Sequence, residues 1–393
     1  MESEPKRSHG SESAEIIGGN EDLVTELILV YLPPRSLARF KSVCKQWLTL
    51  ISTPLFAAAH TNHHSRRRLK SLPSFLLRTS AATPEFFYLN PTTRTLLPFK
   101  FEFPHTRILQ SSHGLLLLEH RNTEYGRRNY CVYNPTTRQS RKLAVSGADG
   151  KTTSPAPLGL SLYFDPSKSP HYKVISFTKT AGSQSQFNLT IGIYDSESHN
   201  WEEIAGAGNP DISPANIKFF NGISWNNGIY WIRPTSRSHY FNLETRNLIR
   251  LPNVRIPRQR GGELNKNYIV ESNGHAHCVC TYLGTKLETL TVHELSEHGN
   301  SVWFEKYLAD LSPISSAMPE IKGLIRVLGI VRGDKEEDSS VLLHIPGMII
   351  SYSFYDRVFE VLCNFRNSRI YRHNQFQFKC NFSYQFIESL ACV

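Results

Sequence analysis

The densest group of side chains able to do chemistry in this chain is His275-Ala-His277-Cys278-Val-Cys280. Imidazole nitrogen and thiolate sulfur are common zinc donors. Side chains alternate across a strand, however, so His275 and His277 would face one way and Cys278 and Cys280 the other. One metal ion could not easily collect all four, and the spacing instead predicts an inner strand with small buried thiols. His63-His64 precedes Arg66, Arg67 and Arg68, whose positive charge opposes a bound cation. Asp334-Lys-Glu336-Glu337-Asp338 lacks the ligand spacing and Gly hinge of a calcium loop, and predicts an exposed hairpin between two apolar runs. The sequence holds no phosphate-binding P-loop, no GxSxG elbow and no HExxH. The expectation is a non-enzymatic protein with no catalytic residues, no cofactor and no metal.

These groups sit among short strands and turns. Tyr88-Leu-Asn90-Pro91-Thr92-Thr93-Arg94 is echoed by Tyr133-Asn134-Pro135-Thr136-Thr137-Arg138, so Asn-Pro-Thr-Thr-Arg recurs after 44 positions. Weaker echoes begin at Ile193, Tyr240, Val292 and Tyr352. Across the set, an apolar strand is expected to end at Asn or Asp, whose side chain can hydrogen-bond the backbone and fix a turn. Gly114-Leu-Leu-Leu-Leu118 and Gly228-Ile-Tyr-Trp-Ile232 are apolar strands ahead of such turns. Repeats of this length with about four strands each predict a β-propeller. Five units fall near 107–143, 157–204, 216–252, 266–308 and 323–365. A sixth is expected from Ser74 to Phe99, completed by a strand at Tyr384-Gln-Phe-Ile-Glu-Ser-Leu390. The expected fold is mainly β, a six-bladed propeller behind a small helical unit.

That unit spans Asp22 to Phe56. Leu23, Leu27, Ile28 and Leu32 recur at helical spacing, with Asn20 as a plausible N-cap. Pro33-Pro34 ends this helix, because neither residue can donate a backbone hydrogen bond. Ser36 is expected to cap a second helix carrying Leu37, Phe40, Val43, Trp47, Leu48 and Ile51, closed by Thr53-Pro54. Helices this short build too small a core to stand alone. The surplus apolar surface must cover the following domain or dock on a partner.

The chain has 393 residues and a net charge of +10. Residues 61–150 hold 14 Lys and Arg against five acids. Such a field can favour an acidic protein or nucleic acid, or can equally be a solvated surface, and aromatic residues Phe75, Phe86, Phe87, Tyr88 and Tyr130 are interleaved with it. Phe86 to Tyr88 nevertheless occupy strand positions that core burial explains. Seven Cys without a CxxC pair, and no secretory leader, predict reduced thiols and an intracellular location, in cytoplasm or nucleus. No apolar run is long enough for a membrane span. The expected divisions are a disordered tail over 1–19, the helical unit over 20–60, a basic linker over 61–71 and the propeller over 72–393.

The helical segment resembles an F-box, the adaptor-binding module of SCF-type cullin–RING ubiquitin ligases. The likeness is carried by Asp22-Leu23, Glu26-Leu27-Ile28, Leu32-Pro33, Ser36-Leu37, Arg39 to Val43, Lys45-Gln46-Trp47, Ile51 to Pro54 and Phe56. Family members usually place Leu-Pro just before the first helix, where this chain has Gly19-Asn20. The remainder resembles the F-box-associated, kelch-like propeller of plant F-box proteins, through Ser112-His-Gly114-Leu-Leu, Phe164 to Val174, Asn221-Gly222 to Trp231, His344-Ile-Pro-Gly347 and Phe386 to Leu390. The resemblance implies a substrate receptor whose F-box holds a Skp-family adaptor and whose propeller holds a target protein. The implied adaptor contacts are Leu23, Leu27, Leu32, Pro33, Leu37, Val43, Trp47 and Ile51. The alternative is a basic propeller that binds nucleic acid or an acidic protein independently of a ligase, with nucleic acid the less favoured partner.

Overall fold

The structure is a computed structural model and describes residues 28–68, 74–79, 84–90, 93–121, 128–145, 157–181, 187–204, 219, 221–233, 237–251, 262–284, 288–296, 302–319, 325–366 and 378–393. Among these residues, twenty-four strands form six antiparallel four-stranded sheets arranged as the blades of a closed ring. Blade 1 has the order β24 (Phe378–Phe386), β1 (Ser74–Thr79), β2 (Phe86–Asn90), β3 (Thr95–Phe99). Blade 2 runs β4 (Arg107–Ser112), β5 (Leu115–Arg121), β6 (Arg128–Asn134), β7 (Gln139–Leu143). Blade 3 runs β8 (Gly159–Tyr163), β9 (Lys173–Ala181), β10 (Phe187–Asp195), β11 (Asn200–Ile204). Blade 4 is β12 (Ile223–Trp225) to β15 (Leu248–Leu251), and blade 5 is β16 (Gly262–Ser272), β17 (His275–Gly284), β18 (Glu288–Leu295) and β19 (Trp303–Asp310). Blade 6 is β20 (Arg326–Val331), β21 (Ser340–Ile345), β22 (Met348–Ser353) and β23 (Phe359–Asn364).

The ring is closed by β24, which pairs with β1 at Phe75↔Gln385 and Leu76↔Tyr384 and packs beside β20. The closing strand ends at Phe386, earlier than the expected 384–390 segment. Residues 387–390 leave the sheet because they cross to the helical unit instead.

Asn90, Asn134, Asp195 and Asn242 open equivalent turns. Their side-chain oxygens accept from backbone N–H groups two or three residues on, as in Thr136 N to Asn134 Oδ1 at 2.9 Å and Glu244 N to Asn242 Oδ1 at 2.9 Å. Ser353 does the same for Asp356 N at 3.1 Å. Four residues after each opener the chain adopts a left-handed conformation, at Arg94, Arg138, His199, Arg246 and Arg357, with φ between 53° and 59°. The repeated motif is therefore one turn geometry used between the third and fourth strands of five blades.

Among the described residues, the core is a set of six apolar layers, each shared by two neighbouring blades. Leu76, Ile108, Leu116 and Tyr133 fill the layer between blades 1 and 2, and Phe177, Phe219, Trp231 and Phe241 that between blades 3 and 4. Each fully buried side chain of this size contributes about 1.5–3 kcal/mol. No blade buries its own faces alone, which is why the ring must close.

The helical unit differs from its expected layout. A 3-10 turn at Leu29–Tyr31 precedes α1 (Pro34–Phe40), α2 (Lys45–Ile51) and α3 (Pro54–Arg68). The expected second helix is broken at residues 41–44, and Cys44 rather than Ser36 caps the part that carries Trp47. Pro54 begins a helix instead of ending one, since a proline at the first helical position loses no hydrogen bond. Thr53 Oγ1 caps it by accepting from Phe56 N at 3.2 Å. The helix continues through Arg68, across most of the expected basic linker, because no residue from 55 to 68 is a Gly or Pro. The tail over 1–19, Gly19-Asn20, Leu23 and Leu27 lie outside the described residues.

Candidate functional site

The site begins with a small core. Leu29, Leu37, Ile51, Phe56 and Ala57 are buried together, and the sixth buried member of their cluster is Leu390, from the far end of the chain. His60 Nε2 lies 2.8 Å from Leu32 O and ties α3 to the turn before α1. The rings of Phe40 and Trp47 are 5.3 Å apart and join α1 to α2. Cys44 Sγ accepts from Trp47 N at 3.4 Å. These contacts hold the corner between α1 and α2 in a defined shape.

The expected contact residues divide into two groups. Leu37 and Ile51 are each 0% exposed, so they build the unit's own core and offer no surface. Their spacing matches that of the surface residues, and burial in one cluster with Leu29, Phe56, Ala57 and Leu390 separates the two sets. Leu32 and Trp47 are half-buried, and Pro33 and Val43 are exposed. Val43 is 62% exposed and Leu48, absent from the expected set, is 47% exposed. Val43 directly precedes the Cys44 cap and Leu48 is the fourth helical residue, positions that adjoin at a helix start. Tyr31 and Leu55 add further exposed apolar surface. Residues 28–60 contain Arg35, Arg39, Lys41 and Lys45 and no acid. Burial pushes the Lys41 ammonium down, against the raising effect of neighbouring Cys392. The corner is thus apolar with a basic rim.

The unit sits on one face of the ring. In a four-stranded antiparallel blade the turns between strands 1 and 2 and between strands 3 and 4 lie at the same end. Ser389 Oγ contacts Thr61 Oγ1 of α3 at 2.9 Å, and Ser389 N donates to Thr136 Oγ1, in the β6–β7 turn, at 3.1 Å. The helices therefore lie below blade 2, on the short-turn face. At the opposite end of each blade its fourth strand finishes and the first strand of the next blade begins.

The His–Cys segment on β17 alternates as expected. His275 Nδ1 and His277 Nε2 lie 3.3 and 3.2 Å from the Glu294 carboxylate on β18. Burial raises the Glu294 carboxyl, but its hydrogen bond with His277 and the nearby imidazoles outweigh this and hold it below the usual range. On the other face, Cys278 and Cys280 sulfurs lie 3.8 Å apart in an apolar layer with Trp225 and Tyr230. Among the described residues, no group of three or more His, Cys, Asp or Glu is placed to hold a metal ion. The acidic run is an exposed turn between β20 and β21. There Glu336 takes hydrogen bonds from Tyr307 at 2.6 Å and Arg332 at 3.0 Å and pairs with Lys306 at 2.7 Å. These contacts overcome the raising effect of partial burial and hold Glu336 at about 2. The Tyr307–Arg332–Glu336 group joins blades 5 and 6.

Comparison with known proteins adds two matches along the chain. The F-box domain matches residues 22–58, and the F-box associated beta propeller domain matches residues 91–250. The chain is 31% identical to F-box protein At5g07610 of Arabidopsis thaliana, over 98% of this chain and 94% of that protein. It is 28% identical to F-box protein At5g49610 of the same organism, over 64% of this chain and 69% of that one. Among solved structures, the beta-propeller domain of the Trilobed protease from Pyrococcus furiosus is similar at a TM-score of 0.36 and 11% identity, covering 75% of this chain and 93% of that one. With a helical unit at one end, a six-bladed ring behind it and a relative matching along nearly its whole length, the chain belongs to the plant F-box proteins that carry an F-box-associated β-propeller.

Proposed function

We propose that this protein is a substrate receptor of an SCF-type ubiquitin ligase. The observation that carries this reading is Val43 and Leu48, exposed on a unit whose own core is already filled by Leu37, Ile51 and Leu390. An apolar corner with a basic rim and no acid suits a partner groove that is apolar with an acidic border, the chemistry assigned here to a Skp-family adaptor. Leu32, Pro33, Val43, Trp47 and Leu48 form the contact, while Leu37 and Ile51 support it from within.

The ring holds a target protein on the face away from the helices, at the ends of the blades opposite the short turns. The mechanism is proximity. One surface docks on the ligase, the other holds the target, and a target lysine meets the charged ubiquitin carrier at high effective concentration. No residue of this chain performs the transfer. Capture of the purified adaptor by the full chain tests the reading, with Val43→Asp and Leu48→Asp as the variants expected to lose it.

A further inference from the structure

Residues 387–393 follow β24 and pass between the helical unit and blade 2. Their side chains alternate between two cores. Leu390 and Cys392 pack into the helical cluster, whereas Ala391 and Val393 pack into the layer between blades 2 and 3. Such alternation is what an extended segment gives when both of its faces are covered.

Polar contacts follow the same division. Toward the ring, Asn134 Nδ2 donates to Ser389 O at 3.0 Å and to Ala391 O at 2.8 Å, and Ser389 N donates to Thr136 Oγ1. Toward the helices, Ser389 meets Thr61, Arg35 pairs with Glu388 at 2.9 Å, and Cys392 Sγ donates to Ser52 O at 3.6 Å. Gly114, in the β4–β5 turn, makes room for the segment. A Cβ there would stand 2.3 Å from Ser389 Cβ and 2.5 Å from Ile387 O. Within the helical unit, α3 adjoins the 3-10 turn and α2, and α1 adjoins α2.

We propose that residues 387–393 form a positioning clasp, holding the helical unit at one fixed attitude on the short-turn face of the ring. Its purpose rests on the receptor reading: a rigid receptor presents its target at one distance and angle from the ligase. Its geometry does not depend on that reading. Ser389 and Leu390 are the central positioning residues, since one contacts both domains and the other completes the helical core.

Single-molecule energy transfer in the full chain tests the clasp, with donor and acceptor amino acids placed at the exposed positions Leu55 and Leu308. The wild-type chain should give one narrow distance distribution. Leu390→Ser should broaden it, and so should Gly114→Ala, which displaces the segment without altering it or the helices. Leu390→Met, which keeps the apolar contact, should stay narrow. Helical circular dichroism is recorded on the same samples. Narrow distributions in both disruptive variants would overturn the proposal, as would broadening found only where helicity is lost. Adaptor capture is measured separately: its absence in the wild-type chain would strike the ligase reading, while a narrow distribution that broadens in Gly114→Ala would still establish the clasp.

Discussion

Thr61 Oγ1 and Ser389 Oγ lie 2.9 Å apart in a buried contact between α3 and the clasp. Thr61 already donates to Ala57 O at 2.7 Å, so Ser389 supplies the proton between the two hydroxyls. Ser389 Oγ also accepts from Ala391 N at 3.0 Å. Ser389→Ala therefore leaves a buried N–H and a buried hydroxyl each short of a partner. The expected cost is about 1–3 kcal/mol, read as a lower denaturant midpoint. A cycle with Thr61→Val isolates the pair, and additive losses would show that the two hydroxyls do not cooperate.

Asn134 opens its turn and also holds the C-terminal segment. Asn134→Asp keeps the side-chain oxygen that accepts from Thr136 N. It replaces the donor to Ser389 O and Ala391 O with a carboxylate facing two carbonyls. The substitution should cost on the order of 2–4 kcal/mol. A change in thermal unfolding worth less than about 1 kcal/mol would contradict this second role of Asn134.

Acid should weaken the ring through His344, which is 3% exposed on β21. Burial, helped by the Arg326 charge, lowers its imidazole to about 4 from the ordinary 6.5. The folded state therefore resists a proton that the unfolded chain accepts. Stability from this group is intact above pH 6.5 and falls as the pH drops from about 6.5 to about 4, by about 3 kcal/mol in all. His344→Leu should flatten that part of the stability profile, and an unchanged slope across this window would rule the residue out as its source.

How much of this was legible depended on how far apart the partners lie. The turn openers Asn90, Asn134, Asp195 and Asn242 act on backbone groups two or three residues away, so a local repeat in the sequence was enough to find the blades and their number. The alternation of His275 and His277 against Cys278 and Cys280 was legible for the same reason. The exposed apolar corner was harder. Leu37, Val43, Trp47 and Ile51 share one periodicity, and burial of Leu37 and Ile51 is completed by Leu390, which no local pattern connects to them. Leu390 was itself expected in the closing strand. Sequence spacing could show that the segment needed a partner surface, but the part already covered by the chain's own clasp required the fold.

The receptor reading turns on whether Val43 and Leu48 form a docking surface. Neither residue completes the core, so Val43→Asp and Leu48→Asp should leave the helical unit folded, each at a cost of about 1 kcal/mol or less. Leu37→Asp, by contrast, places a carboxylate among Leu29, Phe56 and Leu390 and should unfold the helical unit. The most direct measurement is the affinity of purified Skp-family adaptor for the wild-type chain and for the folded Val43→Asp variant. The wild-type chain should capture the adaptor, and Val43→Asp should lose at least about ten-fold in affinity, equivalent to about 1.4 kcal/mol. Equal binding by both, or none by the wild-type chain, would contradict the receptor reading.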